Sequence, residues 1–300
     1  MIEITGVNKT FGDIKALDNI VATIQEGSIF GLVGTNGAGK STLLRTMSGV
    51  LKPDAGMVLV DGEDVYENPA AKAKIFFLPD TAYFFQNATA KTMAEYYQVV
   101  YPNFREDRFR EMTAGFGLEY HRKIATFSKG MKRQISILLG ICAETKYMFC
   151  DESFDGLDPV VRQAVKSIFA SEMMNRDFTP IIASHNLREL EDICDHVGLL
   201  HKGGMLLSRE LEEMKYHIHK VQCVFHDRKD EEEILGRLEV LQHEKRGSIL
   251  TIVARGTRQE IMMEIQEKNP MLAEILPLTL EEIFISETEV AGYDIKNFIS

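Results

Sequence analysis

The stretch Gly34-Thr35-Asn36-Gly37-Ala38-Gly39-Lys40-Ser41 decides how this sequence folds. It fits G-x-x-x-x-G-K-[ST], a loop whose backbone N–H groups surround the phosphates of a nucleotide. Glycines let the chain turn tightly against the phosphates, Lys40 brings an ammonium to the outer ones, and the Ser41 hydroxyl can bind Mg²⁺. The stretch therefore predicts a nucleoside triphosphate site. Its predicted contacts are Gly34, Asn36, Gly37, Ala38, Gly39, Lys40, Ser41 and Thr42.

The residues on either side supply the context that this motif requires. Ser28–Val33 is mostly apolar and predicts a buried strand, and Ser41–Ser48 predicts a helix with Gly49 as its C-terminal cap. A strand–loop–helix unit is the setting in which the motif binds phosphate. A chance glycine-rich turn is therefore the weaker interpretation.

The amino-acid composition limits the classes of function that this chain can have. The 300 residues are 45% hydrophobic and 26% charged, which is typical of a globular protein. A formal charge of −11 opposes non-specific binding to nucleic acid, so we expect no nucleic-acid partner. The apolar run Ile135–Ala143 is about half the ~20 residues that a membrane span needs. The four cysteines lack the spacing of metal ligands, which favours reduced thiols in a cytosolic protein.

The order of apolar runs and turns predicts an α/β fold. Residues 1–30 have the pattern of antiparallel strands, and residues 87–143 have the spacing of a helical insertion. Strands and helices then alternate again, as they do around a mainly parallel sheet. Composition changes near Lys215, after which a βαββα-type pattern follows. We therefore predict a first domain over residues 1–215 and a small α+β domain over residues 216–300.

A second acidic motif follows the helical insertion. Tyr147–Cys150 is an apolar strand that runs into Asp151 and Glu152. Beside a phosphate-binding loop, the first carboxylate can hold Mg²⁺ through water and the second can accept a proton from an attacking water. The alternative for Glu152 is a solvated carboxylate at a strand end.

Further motifs carry a family resemblance by their order along the chain. Phe127-Ser128-Lys129-Gly130-Met131 precedes an amphipathic helix, and Ser153-Phe154-Asp155-Gly156-Leu157-Asp158 follows the acidic pair. Ala183-Ser184-His185 comes later, and Phe11 lies before Gly12-Asp13. Together these motifs resemble the ATP-binding subunit of an ABC transporter across about residues 1–215.

The resemblance implies roles for individual residues. Phe11 would stack on the adenine of ATP, Glu152 would be the catalytic glutamate, and His185 would be the switch histidine. Ser128 and Gly130 would bind the γ-phosphate on a second subunit, with two subunits meeting head to tail around two ATP. Asp158 would belong to the loop that follows the catalytic glutamate. Lys129, between these two residues, either adds a cation there or points into solvent.

Three positions depart from the family pattern. Asp80 stands where the family has a glutamine; an aspartate can still meet Mg²⁺ or its water, but it is shorter and charged. Ser153 replaces a proline and Met131 replaces a glutamine. Because Glu152 and His185 are both intact, the resemblance implies an active Mg²⁺-dependent ATPase.

The C-terminal half suggests which branch of the family is closest. Leu199–Leu207 and Leu278–Ile285 resemble the bacterial ABC-2 exporters of peptides, antibiotics and drugs. That resemblance implies a separate membrane permease, so the chain would lie in the cytoplasm at the inner face of the membrane. Exposed aromatics at Tyr83-Phe84-Phe85 would anchor a permease helix, although packing within the helical insertion explains them equally well.

Three alternatives remain at this point. An ABC importer ATPase is one, and a soluble ABC ATPase of translation or DNA repair is another. The third is a regulatory nucleotide-binding module without turnover, which the intact Glu152 opposes. The cargo, and the choice between a homodimer and a heterodimer, stay open.

Overall fold

The computed structural model describes residues 1–154 and 156–290, with side chains described as far as Ser286. Asp155, part of one quoted motif, lies outside the described residues. The chain divides into two compact units, Met1–Ser208 and a second that begins at Arg209. Each unit has its own hydrophobic core.

The first unit opens with an antiparallel sheet that is interrupted in the sequence by the phosphate-binding loop. Its strand order is β2-β1-β4-β5. Alternating residues of β1 and β2 are buried, as the period of a half-buried strand requires. The elements of this part of the chain are β1 (Ile2–Phe11), β2 (Ile14–Ile24), β3 (Phe30–Val33), α1 (Lys40–Met47), β4 (Ala55–Val60), β5 (Glu63–Asp64), α2 (Pro69–Lys72) and β6 (Ile75–Leu78).

Three helices follow β6 and form the helical part of this unit. The N-cap of the first is Thr89, whose side chain accepts a hydrogen bond from the Thr92 N–H in a capping box. Ser128 caps the third helix in the same way, because it accepts from the Met131 N–H. The helices are α3 (Ala90–Val100), α4 (Glu106–Gly115) and α5 (Lys129–Cys142), with a short 3₁₀ turn at Ile124–Thr126.

A six-stranded sheet forms the centre of the unit, in the order β10-β9-β3-β8-β7-β6. Its central strands are parallel, and β3, β7 and β8 are buried at every position, as expected for strands covered on both faces. The remaining elements are β7 (Tyr147–Asp151), α6 (Pro159–Asn175), β8 (Thr179–Ser184), α7 (Leu187–Glu191), β9 (His196–His201) and β10 (Gly204–Glu210).

The second unit is an antiparallel sheet with two helices packed on one face. Its strand order is β12-β13-β11-β14, and its core includes Val221, Ile252 and Ile265. Its elements are α8 (Leu211–His217), β11 (Ile218–Val224), α9 (Arg228–Arg237), β12 (Glu239–Arg246), β13 (Ile249–Arg255), α10 (Arg258–Glu267), β14 (Leu272–Leu276) and α11 (Leu280–Val290).

The fold-class prediction is confirmed: an α/β core carries an antiparallel sheet and a helical part, and an α+β unit follows. The βαββα pattern was incomplete, because β14 follows α10. This edge strand is short and nowhere fully buried, so its apolar pattern is weak. None of the helices in the described ranges combines the length and apolar character that a bilayer crossing requires.

Candidate active site

The phosphate-binding loop is shaped by close backbone approaches. Gly34 directly follows β3, and a methyl group at this position would lie 2.5 Å from the Leu200 carbonyl oxygen. At Gly39 the methyl would lie 2.4 Å from the Ala16 carbonyl oxygen, and the φ of +105° is itself unfavourable for any side chain. Glycine is therefore required at both ends of the loop because of packing from β9 and β2.

The lysine of the loop is held by the loop's own carbonyls. Lys40 is 5% exposed, and its Nζ donates to the Gly34 carbonyl at 2.7 Å and to the Thr35 carbonyl at 3.3 Å. The same ammonium lies 3.2 Å from Glu152 Oε1. These contacts fix a cation between the loop and the strand end that carries Glu152.

Ser41 and Asp151 form the next layer of the site. The Ser41 hydroxyl donates to Asp151 Oδ1 at 2.8 Å. Burial raises the pKa of the Asp151 carboxyl, the hydrogen bond from Ser41 opposes that shift, and the negative charge of Asp80 adds to it. Asp80 therefore acts electrostatically on the same group that Ser41 contacts.

Strand register brings Glu152 and His185 together. Asp151 pairs with Ala183 across the parallel strands β7 and β8, so the two strands end side by side. Glu152 follows with a φ of +50°, its N–H donating to the Ala183 carbonyl at 3.0 Å. Glu152 Oε2 lies 2.7 Å from His185 Nδ1. A left-handed conformation is uncommon for a non-glycine residue and costs some backbone strain.

One cavity of about 550 Å³ collects most of the residues that the sequence indicated. Sequence-predicted residues that line it are Asn36, Gly37, Gly39, Lys40, Ser41, Thr42, Asp80, Lys129, Glu152 and His185. Its lining also includes Gly156, from the motif after the acidic pair, and three residues that the sequence reasoning missed, namely Ile14, Ala16 and Arg133. The Arg133 guanidinium lies against Asp80, with Nη2 3.0 Å from Oδ1.

The other predicted residues lie beside this lining. Phe11 ends β1 with 46% of its surface exposed, and the Lys9 ammonium is 5.6 Å from its ring centre. Ala38, inside the phosphate-binding loop, is buried as part of the hydrophobic core. Asp158 caps α6, accepting from the backbone N–H groups of Val160 and Val161.

The signature residues Ser128 and Gly130 lie at the start of α5. A methyl group placed on Gly130 would be 3.8 Å from the Gly156 carbonyl oxygen. The start of α5 and the segment after Glu152 are therefore neighbours in this unit, and Lys129 between the two signature residues lines the cavity itself.

The donor set fits ATP with a magnesium ion. Within residues 1–154 and 156–290, no three His, Cys, Asp or Glu side chains assemble into a protein-only metal centre. Magnesium instead favours one or two carboxylates, waters and substrate phosphates. Asp151, the Ser41 hydroxyl beside it and a loop that presents backbone N–H groups at the start of α1 match that preference.

Comparison with known proteins shows which kind of domain this chain carries. Residues 17–155 match the model of the family described as ABC transporter. The chain is 29% identical over 287 residues to the ABC transporter ATP-binding protein YtrB of Bacillus subtilis, covering 96% of this chain and 98% of YtrB. It is 28% identical over 218 residues to the bacitracin transport ATP-binding protein BcrA of Bacillus licheniformis, covering 72% and 71%. The chain therefore carries an ABC transporter ATP-binding domain, the ATPase domain of that family.

Solved structures support the same fold. An ATP-binding subunit of an ABC transporter superposes with a TM-score of 0.66 at 22% identity, covering 72% of this chain and 92% of its own. A nucleotide-free cassette from an ABC transporter gives 0.61 at 22% identity, covering 72% and 93%. At these identities the likeness concerns the fold alone.

Proposed function

We propose that this chain hydrolyses Mg-ATP to power export of a peptide, antibiotic or drug-like substrate through a separate membrane permease. The observation that carries the proposal is that Lys40, Ser41–Asp151 and Glu152–His185 meet around one cavity. That combination offers a cation for phosphate, a ligand pair for magnesium and a carboxylate for an attacking water.

The residues divide the chemistry between them. The loop over Gly34–Thr42 would hold the phosphates by its N–H groups, while Ser41 and Asp151 would hold the magnesium ion. When bound, magnesium neutralises phosphate charge. Glu152 would accept a proton from the attacking water, and its 2.7 Å contact with His185 fixes the carboxylate's orientation. His185 would also reach the γ-phosphate.

The adenine and a second subunit would complete the site. The partly exposed ring of Phe11, with Ile14 and Ala16 in the cavity lining, offers an apolar surface for the base. Ser128 and Gly130 at the start of α5 would meet the nucleotide of a second ATPase subunit, because a helix N-terminus favours phosphate. Asp158 would lie at the same interface.

The permease contact would use an exposed aromatic patch. We define this patch as Tyr83, Phe85, Tyr96 and Val99, which are 74%, 42%, 45% and 85% exposed. The Phe85 ring lies 5.8 Å from that of Tyr83 and 4.9 Å from that of Tyr96, both edge to face. Such a set of exposed apolar side chains suits the apolar face of an amphipathic helix.

Export is favoured over import by the relatives. BcrA, named for bacitracin transport, is 28% identical to this chain. The segments Leu199–Leu207 and Leu278–Ile285 add the resemblance to exporters. The chain would then lie at the cytoplasmic face of the membrane, held there by the permease.

The direction of transport is tested in membrane vesicles that contain the chain and the membrane protein that co-purifies with it. Export from the cytoplasm predicts that inside-out vesicles accumulate labelled amphipathic peptides such as bacitracin when ATP is added outside. Vesicles with the chain variant Lys40→Ala serve as the control. Accumulation in right-side-out vesicles loaded with ATP, and none in inside-out vesicles, would instead assign an importer.

The proposed contact between the aromatic patch and the permease is tested by placing a charged residue in the patch. A Tyr96→Asp substitution should reduce co-purification of the membrane protein at least tenfold while leaving basal ATP hydrolysis unchanged, because it places a charge in a desolvated contact. Val21→Asp is the matched control, since Val21 is 61% exposed on the antiparallel sheet. Equal losses from both variants would remove the patch from the proposal.

A further inference from the structure

We infer that Arg133 is a positioning residue that holds Asp80 in the nucleotide cavity and neutralises its charge there. The inference rests on the proposed function, because it assigns a role in binding Mg-ATP. Neither residue type is required by the phosphate-binding loop or by the strand ends that carry Asp151 and Glu152.

The two side chains of the pair differ in how far they are exposed to solvent. The Arg133 side chain is 9% exposed, whereas the Asp80 side chain is 56% exposed. Arg133 Nη2 donates to Asp80 Oδ1 at 3.0 Å. A guanidinium this deeply buried needs a partner, because its desolvation is not repaid by water. Asp80 is that partner, and Arg133 in return limits where the Asp80 carboxylate can go.

The pair joins two segments that approach the nucleotide cavity from different sides. Asp80 follows β6, while Arg133 lies on α5 one helical turn after Lys129. A methyl group at Gly156 would lie 3.8 Å from the other terminal nitrogen of the guanidinium, Nη1. Arg133 therefore lies close both to Asp80 and to the segment that follows Glu152.

Charge explains what the pair does for the ligand. The cavity is lined by the carboxylates of Asp80 and Glu152, with Asp151 directly behind Ser41. An ATP molecule brings further negative charge, so an Asp80 without Arg133 would repel it. The Asp80–Arg133 pair is close to neutral, so it repels the phosphates less than an unpaired carboxylate would.

Four variants distinguish the proposed role of Arg133, which is to hold Asp80 and neutralise its charge, from a purely structural role. The wild type is compared with Arg133→Gln, Asp80→Asn, Arg133→Lys and the double variant Asp80→Asn with Arg133→Gln. The KM for Mg-ATP and kcat are measured at low and at high salt, and thermal unfolding is followed for each protein.

The inference predicts an order of KM values. Arg133→Gln should raise the KM for Mg-ATP about tenfold at low salt, and less at high salt, since an uncompensated carboxylate then faces the phosphates. The double variant should return to within about twofold of the wild type, and Asp80→Asn should bind as tightly as the wild type or more tightly. Arg133→Lys should fall between the wild type and Arg133→Gln, because it keeps the charge but loses the planar fork.

Two results would overturn the inference. One is a double variant with a KM as high as that of Arg133→Gln, which a purely structural role predicts. The other, decisive even if Arg133→Gln does not fold, is an Asp80→Asn protein whose KM rises tenfold. A wild type that hydrolyses ATP, with a Glu152→Gln variant that does not, keeps the proposed function standing in either case.

Discussion

Three glycines of the phosphate-binding loop are required for different physical reasons. One reason is crowding by neighbouring atoms, and the other is a backbone angle that strains any residue with a side chain. Gly34 has an ordinary backbone angle, but a methyl group there would lie 2.5 Å from the Leu200 carbonyl oxygen. Gly37 has a φ of +80° with open space around it, and Gly39 has both a φ of +105° and a 2.4 Å contact with the Ala16 carbonyl oxygen. Substituting each by alanine therefore tests crowding, backbone strain and their sum.

The magnitudes follow from these contacts. A left-handed backbone costs about 1–2 kcal/mol for alanine, so Gly37→Ala should lose that much. Crowding in a packed region costs about 1–3 kcal/mol, which is the expectation for Gly34→Ala. The two effects together give about 2–5 kcal/mol for Gly39→Ala. If the loop relieves the strain by leaving its binding geometry, affinity falls about tenfold for each 1.4 kcal/mol.

The assay is a titration with a fluorescent ATP analogue in the presence of magnesium, with thermal unfolding measured in parallel. Gly37→Ala should weaken binding about 5–30-fold and Gly39→Ala at least about 30-fold, by the conversion above. Gly236→Ala is the control: Gly236 lies inside α9 with open space around it, so binding should not change. A Gly39→Ala protein that binds as well as Gly37→Ala would refute the reasoning.

Other variants test stability and pH dependence. Glu172 is 2% exposed and hydrogen-bonds to Arg108 and Arg176, so Glu172→Gln should destabilise the first unit by about 3 kcal/mol, measured by urea unfolding. Burial raises the pKa of Glu172, but the two arginines outweigh it and hold that pKa below its usual 4.5. The wild type should therefore keep this stability above about pH 4.5 and lose it as the pH falls further, and Glu172→Gln should lack that loss; equal acid sensitivity would contradict the assignment. Thr257→Ala removes the capping box with Glu260 and should destabilise the second unit by about 1 kcal/mol, seen as faster hydrogen exchange in α10.

The sequence predicted the parts of the site that are contiguous or follow apolar strands. The phosphate-binding loop is one uninterrupted motif. Asp151 ends a strand that is buried at every position, and Glu152 follows it. Residues that enter the cavity by tertiary packing were missed. Ile14 and Ala16 come from β2, which is hydrogen-bonded to β1 and not to the strand before the loop.

The presence of Arg133 in the cavity could have been predicted from its spacing to Lys129. It lies four residues after Lys129 on α5, so the two residues share a helix face, and both line the cavity. Its contact with Asp80 could not be predicted, because the two residues are 53 positions apart and no pattern links them. The edge strand β14 was missed for a related reason: only its pairing with β11 makes it a strand.

The measurement that tests the account most directly is phosphate release by Glu152→Gln at saturating Mg-ATP, with binding of the ATP analogue measured on the same sample. Glutamine keeps the size of the side chain but cannot accept the proton of the attacking water. We expect unchanged nucleotide affinity and hydrolysis about 10²–10⁴-fold slower than in the wild type. Turnover at the wild-type rate would contradict the assignment of Glu152 as the general base.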